Sequence, residues 1–285
     1  MKRFPDWLRK PRLPNAAGFT SQVLSERNVH TVCESAKCPN RLECWGRQTA
    51  TFMILGDVCT RRCGFCAIQV GKPLALDPEE PRHVAEAAKD LKLKHIVITS
   101  VARDDLRDGG AEQFYKTIIA VRDLIPEATI EVLTPDFKGN EGSIERVCEA
   151  RPDIYNHNVE TVARLSPFVR SPNANYKRSL ELLAYVKGNH LDIATKSGLM
   201  VGLGETREEI SQTFRDLREH DCDILTVGQY LQPIEGKMTV QEFIPLDEFQ
   251  SYENEAHEMG FREVFCGPFV RSSYHADEIS ERVLN

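Results

Sequence analysis

The chain has 285 residues, 41% of them hydrophobic and 28% charged, with a formal net charge of -7, the proportions of a soluble globular protein large enough to bury a core. No apolar run approaches the roughly 20 residues that a bilayer span needs, and the opening Met1-Lys2-Arg3-Phe4-Pro5-Asp6-Trp7 lacks the apolar centre of a signal peptide, so a cytoplasmic location and no membrane association are expected. The acidic balance argues against a general nucleic-acid binder, which needs a cationic surface to displace counterions.

Residues 1–49 begin with a basic arm in which Lys2, Arg3, Arg9, Lys10 and Arg12 face only Asp6. Such an arm is usually a solvated tail; its alternative use is to steer an acidic protein partner. From residue 50 onward, β-type runs at Thr51–Leu55, His95–Thr99, Thr129–Leu133, Asp153–His157, Asp192–Lys196 and Asp223–Val227 alternate with helix-period segments. Apolar residues recur at helical spacing at Val84, Ala87, Ala88 and Leu91, at Phe114, Ile118, Val121 and Ile125, and at Ile210, Phe214 and Leu217. Thr206-Arg207-Glu208-Glu209 reads as a capping box that opens the last of these helices.

Six β/α units predict an α/β fold with a parallel sheet, barrel-like or doubly wound. Six is short of the eight of a closed barrel, so a partial (β/α)6 TIM-type barrel would have a wide lateral mouth. Residues 1–49 and 228–285 fall outside the rhythm and are expected to be extensions wrapped onto a barrel at 50–227. No short-period repeat or low-complexity segment interrupts the chain.

Six of the nine cysteines form two triplets, Cys33, Cys38 and Cys44, then Cys59, Cys63 and Cys66. In a reducing compartment such spacing favours metal ligation over disulfides. The loop after the first strand, Cys59-Thr-Arg-Arg-Cys63-Gly-Phe-Cys66, supplies three thiolates where an iron-sulfur cluster ordinarily takes four, which leaves one iron open to a small molecule. Its place at the carboxyl end of the sheet is where catalytic groups sit in parallel α/β folds. Zinc held by both triplets with a histidine such as His30 is the alternative, but neither triplet completes a pair of knuckles. Arg61 and Arg62 are expected to offset the thiolate charge, Gly64 to allow a tight turn and Phe65 to offer a flat apolar face.

The second triplet resembles the signature of the radical S-adenosylmethionine (SAM) enzymes. The resemblance implies a cluster that binds SAM at its open iron, a partial (β/α)6 barrel, Phe65 beside the adenine, and a 5'-deoxyadenosyl radical that abstracts hydrogen from an unactivated carbon. The first triplet, Cys33-x4-Cys38-x5-Cys44, is similar to the auxiliary-cluster motif of the lipoyl synthase family. Arg271-Ser272-Ser273-Tyr274 matches that family's C-terminal motif, in which the second serine, here Ser273, is the fourth cluster ligand. Thr99–Leu106, Asn156–Thr161, Lys196–Glu205 and Gly228–Pro233 also look like family segments, with Ala102 in place of a more usual aspartate.

The resemblance implies a sulfurtransferase that inserts two sulfur atoms at C6 and C8 of a protein-bound octanoyl-lysine to form the lipoyl cofactor. It uses SAM and two 4Fe-4S clusters, the auxiliary one serving as sulfur donor. Implied partners are octanoylated lipoyl-carrier domains (2-oxoacid dehydrogenase E2 subunits and glycine cleavage H protein), a flavodoxin or ferredoxin as electron donor, and an iron-sulfur carrier protein. The basic arm at residues 2–12 is a candidate carrier-docking element. Lys196 joins the candidate cofactor-binding set. Asn158 and Glu160 are candidates for SAM's ribose or amino group, or for capping the next helix. Gly202 and Gly204 either admit the adenosyl moiety or form a strand-end turn. Arg103 and Arg178 either hold a carboxylate or are surface charge. Cys148 reads as core, and Cys222 and Cys266 lack ligand spacing. Two competing readings remain, a radical SAM sulfur-inserting enzyme acting on a free small molecule and a non-catalytic cluster carrier.

Overall fold

The structure, a computed structural model, describes residues 5–9, 17–47 and 49–284. Its strands are β1 (Thr51–Ile54), β2 (Val58–Cys59), β3 (Gln69–Val70), β4 (His95–Ser100), β5 (Thr129–Leu133), β6 (Ile154–Asn156), β7 (Ala194–Val201), β8 (Ile224–Gln229) and β9 (Glu263–Gly267). Seven of them form one sheet in the order β1-β4-β5-β6-β7-β8-β9, and every neighbouring pair in it is parallel. The edge strands β1 and β9 do not pair with each other, so the barrel is open, as the unit count predicts. Strands buried on both faces read as apolar runs; β1 and β4 are buried along almost their whole length.

Between strands the chain crosses over through the helices Glu80–Asp90, Ala111–Leu124, Glu141–Glu149, Tyr176–Asn189 and Arg207–Glu219. The predicted apolar stripes face inward, with Val84, Ala87, Ala88, Phe114, Ile118, Val121, Ile210, Phe214 and Leu217 all in one core. The capping box at Thr206 and Glu209 forms in full.

Two expectations are corrected. β7 runs Ala194–Val201, beyond the expected end at Lys196, because Gly198 interrupts the β pattern in sequence but not in the fold. A Cβ there would stand 2.5 Å from Thr226 Oγ1 and 3.0 Å from Asn158 Oδ1, so only glycine fits. Residues 228–285 do not fall wholly outside the β/α rhythm, since the helix Leu246–Glu258 and β9 add a seventh unit. That helix buries only Phe249, Tyr252 and Ala256 in an otherwise polar, acidic run, and an irregular stretch precedes it, so its period is faint.

The N-terminal helices Gly18–Glu26, Val32–Ser35 and Arg41–Gly46 place Val23, Leu24, Cys33 and Trp45 in the barrel's own core. Thr31 bridges Phe52 antiparallel to β1. The C-terminal segment is tied to these helices: Asn40 Nδ2 donates to the Phe269 carbonyl at 2.7 Å, Tyr274 Oη to Glu43 Oε1 at 2.7 Å, and Arg47 pairs with Glu278 at 3.1 Å. Of the basic arm, Lys2, Arg3, Lys10 and Arg12 lie outside the described residues, and Arg9 pairs with Asp6 at 3.0 Å on the surface. Among the described residues no helix is long and apolar enough to cross a membrane.

Candidate active site and metal centres

The Cys59–Cys66 loop leaves the carboxyl end of β1, as expected, and is held from several sides. Val58 and Cys59 pair with Gln69 and Val70. Gly64 N–H donates to the Val169 carbonyl at 2.8 Å, and Met238 N–H donates to the Gly64 carbonyl at 3.0 Å. A Cβ on Gly64 would approach Met238 Cγ to 3.0 Å, so the glycine serves a close approach. Phe65 packs in a satellite cluster with Val169, Leu203 and Tyr230.

Arg61 does not face the thiolates as expected. It is buried, makes two-pronged contact with Asp104 (2.8 and 2.9 Å) and reaches Asp136 at 2.6 Å. Two carboxylates neutralise it, so it anchors the loop to the barrel; Arg62 is exposed. The cation close to the thiolates is Arg170, which the sequence reading passed over because it falls in no motif. Burial lowers its pKa, opposed by Glu160, Asp136 and Cys63, and its Nη1 is held by Ser179 Oγ at 2.8 Å.

Burial pushes the Cys66 thiol up to about 12, with Cys63 and Cys59 adding to the rise, and raises Cys63 as well. These thiols stay protonated until a metal displaces the proton. Backbone N–H groups are already aimed at the sulfurs: Arg61 N donates to Cys59 Sγ at 3.3 Å, Ser171 serves Cys63 and Ile68 serves Cys66. Such bonds favour thiolate and tune the potential of a cluster. Glu160 lies near Cys63 and Cys66 with φ of +69°, a left-handed conformation that costs a non-glycine residue about 1–2 kcal/mol and that clusters at functional sites. Burial raises its carboxyl, opposed by Arg170 and Asn158.

The first triplet meets the other end of the chain. Cys33, Cys44 and Ser273 line one cavity together with Thr51, His95, Val97 and His275. Cys38 stands close enough to raise Cys33, whose pKa is driven up chiefly by burial. The donor set fits an anionic cluster. Trp45 Nε1 is a buried donor without a partner among the described residues, close enough to Cys33 to favour its thiolate. Arg271 accepts no carboxylate partner among the described residues; its guanidinium reaches its neighbour's Val270 carbonyl at 2.6 Å, burial lowers its pKa, and Cys38 is the charge that opposes this. Zinc fits less well. His30 is exposed, the ring of His95 is taken by Thr129 and Glu131 and that of His275 by Arg47 and Glu278. Among the described residues no three His, Cys, Asp or Glu side chains converge as ligands of a single ion; thiolates that each hold a different corner of a cubane need not.

Other expected site residues divide. Lys196 is completely buried in an ion pair with Glu131, Nζ lying 2.9 Å from each carboxylate oxygen, so it does not join the cysteine loop. Asn158 donates to Ser272 Oγ at 2.7 Å, and neither it nor Glu160 caps the helix Ser166–Val169, whose N-cap is Leu165. Gly202 (φ +96°) and Gly204 (φ +105°) form a turn at the end of β7. A Cβ on Gly202 would lie 2.3 Å from Gln229 Nε2 and 2.4 Å from the Glu242 carbonyl, so the turn explains this glycine. Arg103 is buried against Asp105 and the Leu55 carbonyl, and Arg178 reaches Asp136 at 3.2 Å; neither is loose surface charge. Cys148 and Cys222 are buried, Cys148 within the core as expected, and Cys266 is half-buried on β9.

The radical SAM superfamily pattern matches residues 53–217, which include the Cys59–Cys66 loop but neither Cys33–Cys44 nor Ser273. The lipoyl synthase of Rubrobacter xylanophilus is 54% identical over 279 residues, 97% of this chain and 86% of that one. The lipoyl synthase of Caldanaerobacter subterraneus subsp. tengcongensis is 53% identical over 275 residues, 96% of each chain. This chain belongs to the lipoyl synthase family of the radical SAM superfamily. Among solved structures, Streptococcus suis SuiB bound to S-adenosylmethionine aligns with a TM-score of 0.58 at 14% identity, over 75% of this chain and 49% of that one. The hydrogenase maturase HydG from Carboxydothermus hydrogenoformans aligns at 0.54 and 13% identity, over 93% and 77%. These two share the fold, an α/β partial barrel, and lipoyl synthase family membership rests on the full-length relatives.

Proposed function

We infer that this chain is a lipoyl synthase that inserts sulfur at C6 and C8 of an octanoyl-lysine carried on a protein domain. The observation that carries the reading is the meeting of Cys33, Cys44 and Ser273, from opposite ends of the chain, in one cavity, apart from the loop that holds Cys59, Cys63 and Cys66. Cys59, Cys63 and Cys66 would hold the cluster that binds SAM, and Cys33, Cys38, Cys44 and Ser273 the auxiliary cluster. A cluster held by Cys59, Cys63 and Cys66 would supply the electron that cleaves SAM and one held by Cys33, Cys38, Cys44 and Ser273 would supply sulfur; saturated carbons have no acidity for a general base to use, so radical chemistry is needed.

The protein's own contribution is placement and charge. Phe65 gives the adenine an apolar face, and Glu160, turned by its left-handed backbone, offers a carboxylate to SAM's ribose or amino group. Gly202 and Gly204 shape the adjacent strand-end turn. A serine oxygen is a harder, poorer match to iron than a thiolate, so Ser273 is the ligand suited to leave as the cluster gives up sulfur. Residues 1–49 and the segment that follows β9 supply the auxiliary ligands around the seven-stranded barrel. The carriers would be octanoylated E2 and H-protein domains, met in the cytoplasm, with a flavodoxin or ferredoxin as donor and an iron-sulfur carrier for repair. The test is anaerobic reconstitution, reductive turnover with an octanoyl-lysyl peptide, and mass spectrometry. Gain of two sulfurs with release of 5'-deoxyadenosine is expected; SAM cleavage without sulfur gain, or bound zinc, would overturn the reading.

A further inference from the structure

The stretch Val270–Tyr274 lies against β8 and is fixed there by contacts on both sides of Ser273. A Cβ on Gly228 would lie 2.2 Å from the Val270 carbonyl and 3.2 Å from Arg271 Nη1, so β8 is pared to backbone where this segment lies against it. Beyond Ser273, Tyr274 is held by Glu43. Within the stretch the hold comes from the segment after β6, where Asn158 Nδ2 donates to Ser272 Oγ at 2.7 Å across 114 residues of chain. The same side chain lies beside Glu160, two residues on, which neighbours the cysteine loop. Its Oδ1 is buried without a donor, packed over Gly198, where a Cβ would come within 3.0 Å of it. A buried amide that leaves its oxygen unsatisfied is costly, so simple filling of the core does not account for an asparagine here.

We propose that Asn158 is a positioning residue that joins the two cluster sites: it holds Ser272, and thereby aims Ser273 at the auxiliary cluster, from a backbone segment whose other end places Glu160 at the SAM side. This deepens the proposed function and rests on Ser273 being a cluster ligand. It also removes Asn158 from the direct SAM contacts. The link is the hydrogen bond that Asn158 Nδ2 donates to Ser272 Oγ, which an ionised aspartate at 158 could not donate and a serine there is too short to reach.

The test uses the full chain reconstituted with iron-57 and both clusters, as wild type, Asn158→Ala, Ser272→Ala and the double variant. Expected for each single variant is wild-type iron content, 5'-deoxyadenosine formation within about twofold, and sulfur insertion reduced at least tenfold, with the double variant no worse than either single one because they remove one interaction. The Mössbauer component of the serine-ligated iron should broaden or shift, and backbone hydrogen exchange in residues 269–274 should rise. Ser272→Ala removes the bond from its other end, so loss of folding in Asn158→Ala alone leaves the proposal open to refutation. It is overturned if the Mössbauer spectrum and the exchange of 269–274 are unchanged in Ser272→Ala, or if Asn158→Ala mainly raises the KM for SAM. If wild type itself transfers no sulfur to the octanoyl-lysyl peptide while the serine-dependent spectrum is intact, the proposed function fails and the positioning role survives.

Discussion

Lys196→Met is the most informative single change to the barrel's interior. Glu131 is completely buried on β5, and burial pushes its carboxyl up, yet Lys196 and His95 overcome that and lower it from 4.5 to about 2. Asn156 Nδ2 adds a hydrogen bond at 2.8 Å. Each pH unit of displacement corresponds to 1.36 kcal/mol, so the ionised carboxylate favours the folded state by roughly 3 kcal/mol. Removing one partner of a buried pair typically costs about 3–5 kcal/mol, and Lys196→Met should fall in that range at pH 7, read from urea midpoints at equal iron content. In wild type the folded pKa is depressed, so this stability is present above the unfolded value near 4.5 and is lost as pH falls towards 2. In the variant burial is opposed only by His95 and the Asn156 hydrogen bond and the carboxyl rises, so stability is instead lost as pH rises through the raised value, and the deficit against wild type should shrink between pH 7 and 5. Glu131→Leu with Lys196→Met should recover most of the loss, because no buried charge is then left without its partner. A single variant within 1 kcal/mol of wild type, or a deficit that grows on acidification, would refute this reasoning.

Three further outcomes are expected. Arg61→Met leaves the fully buried Asp136 with Arg178 as its remaining cation, where burial raises the carboxyl and Arg61 had pulled it down; it should destabilise the fold by up to about 3 kcal/mol and lower SAM cleavage. Gly228→Ala forces the Val270 carbonyl away, so iron analysis should show about half the iron retained, with SAM still cleaved. Thr206→Ala, which removes a formed capping box, should cost about 1 kcal/mol in thermal unfolding without altering the yield of inserted sulfur.

The strands and the cysteine loop were legible because they follow simple rules: apolar runs buried on both faces, and thiolates at close spacing. The seventh unit was not, since Leu246–Glu258 buries only three residues in an otherwise polar run. Arg61 shows another limit. Adjacent basic residues in a motif give charge but not direction, and only the fold shows that Asp104 and Asp136 wait behind it. Lys196 looked like a ligand contact because it opens a family segment; its burial against Glu131 depends on β5 and β7 flanking β6 in the sheet, which strand spacing does not encode. Ser273 was readable only by resemblance, for a serine carries no spacing signal of its own.

The division of the auxiliary donors between the two ends of the polypeptide also sets an order of manufacture. During synthesis the loop at Cys59–Cys66 has its holds once Met238 has emerged, whereas the Cys33, Cys44 and Ser273 cavity cannot close until residue 273 and the seventh strand have left the ribosome. One site can mature on a nascent chain; the other belongs to the finished one. Chains arrested just before residue 270 are therefore expected to accept the first cluster and to hold the three N-terminal thiols exposed to oxidation.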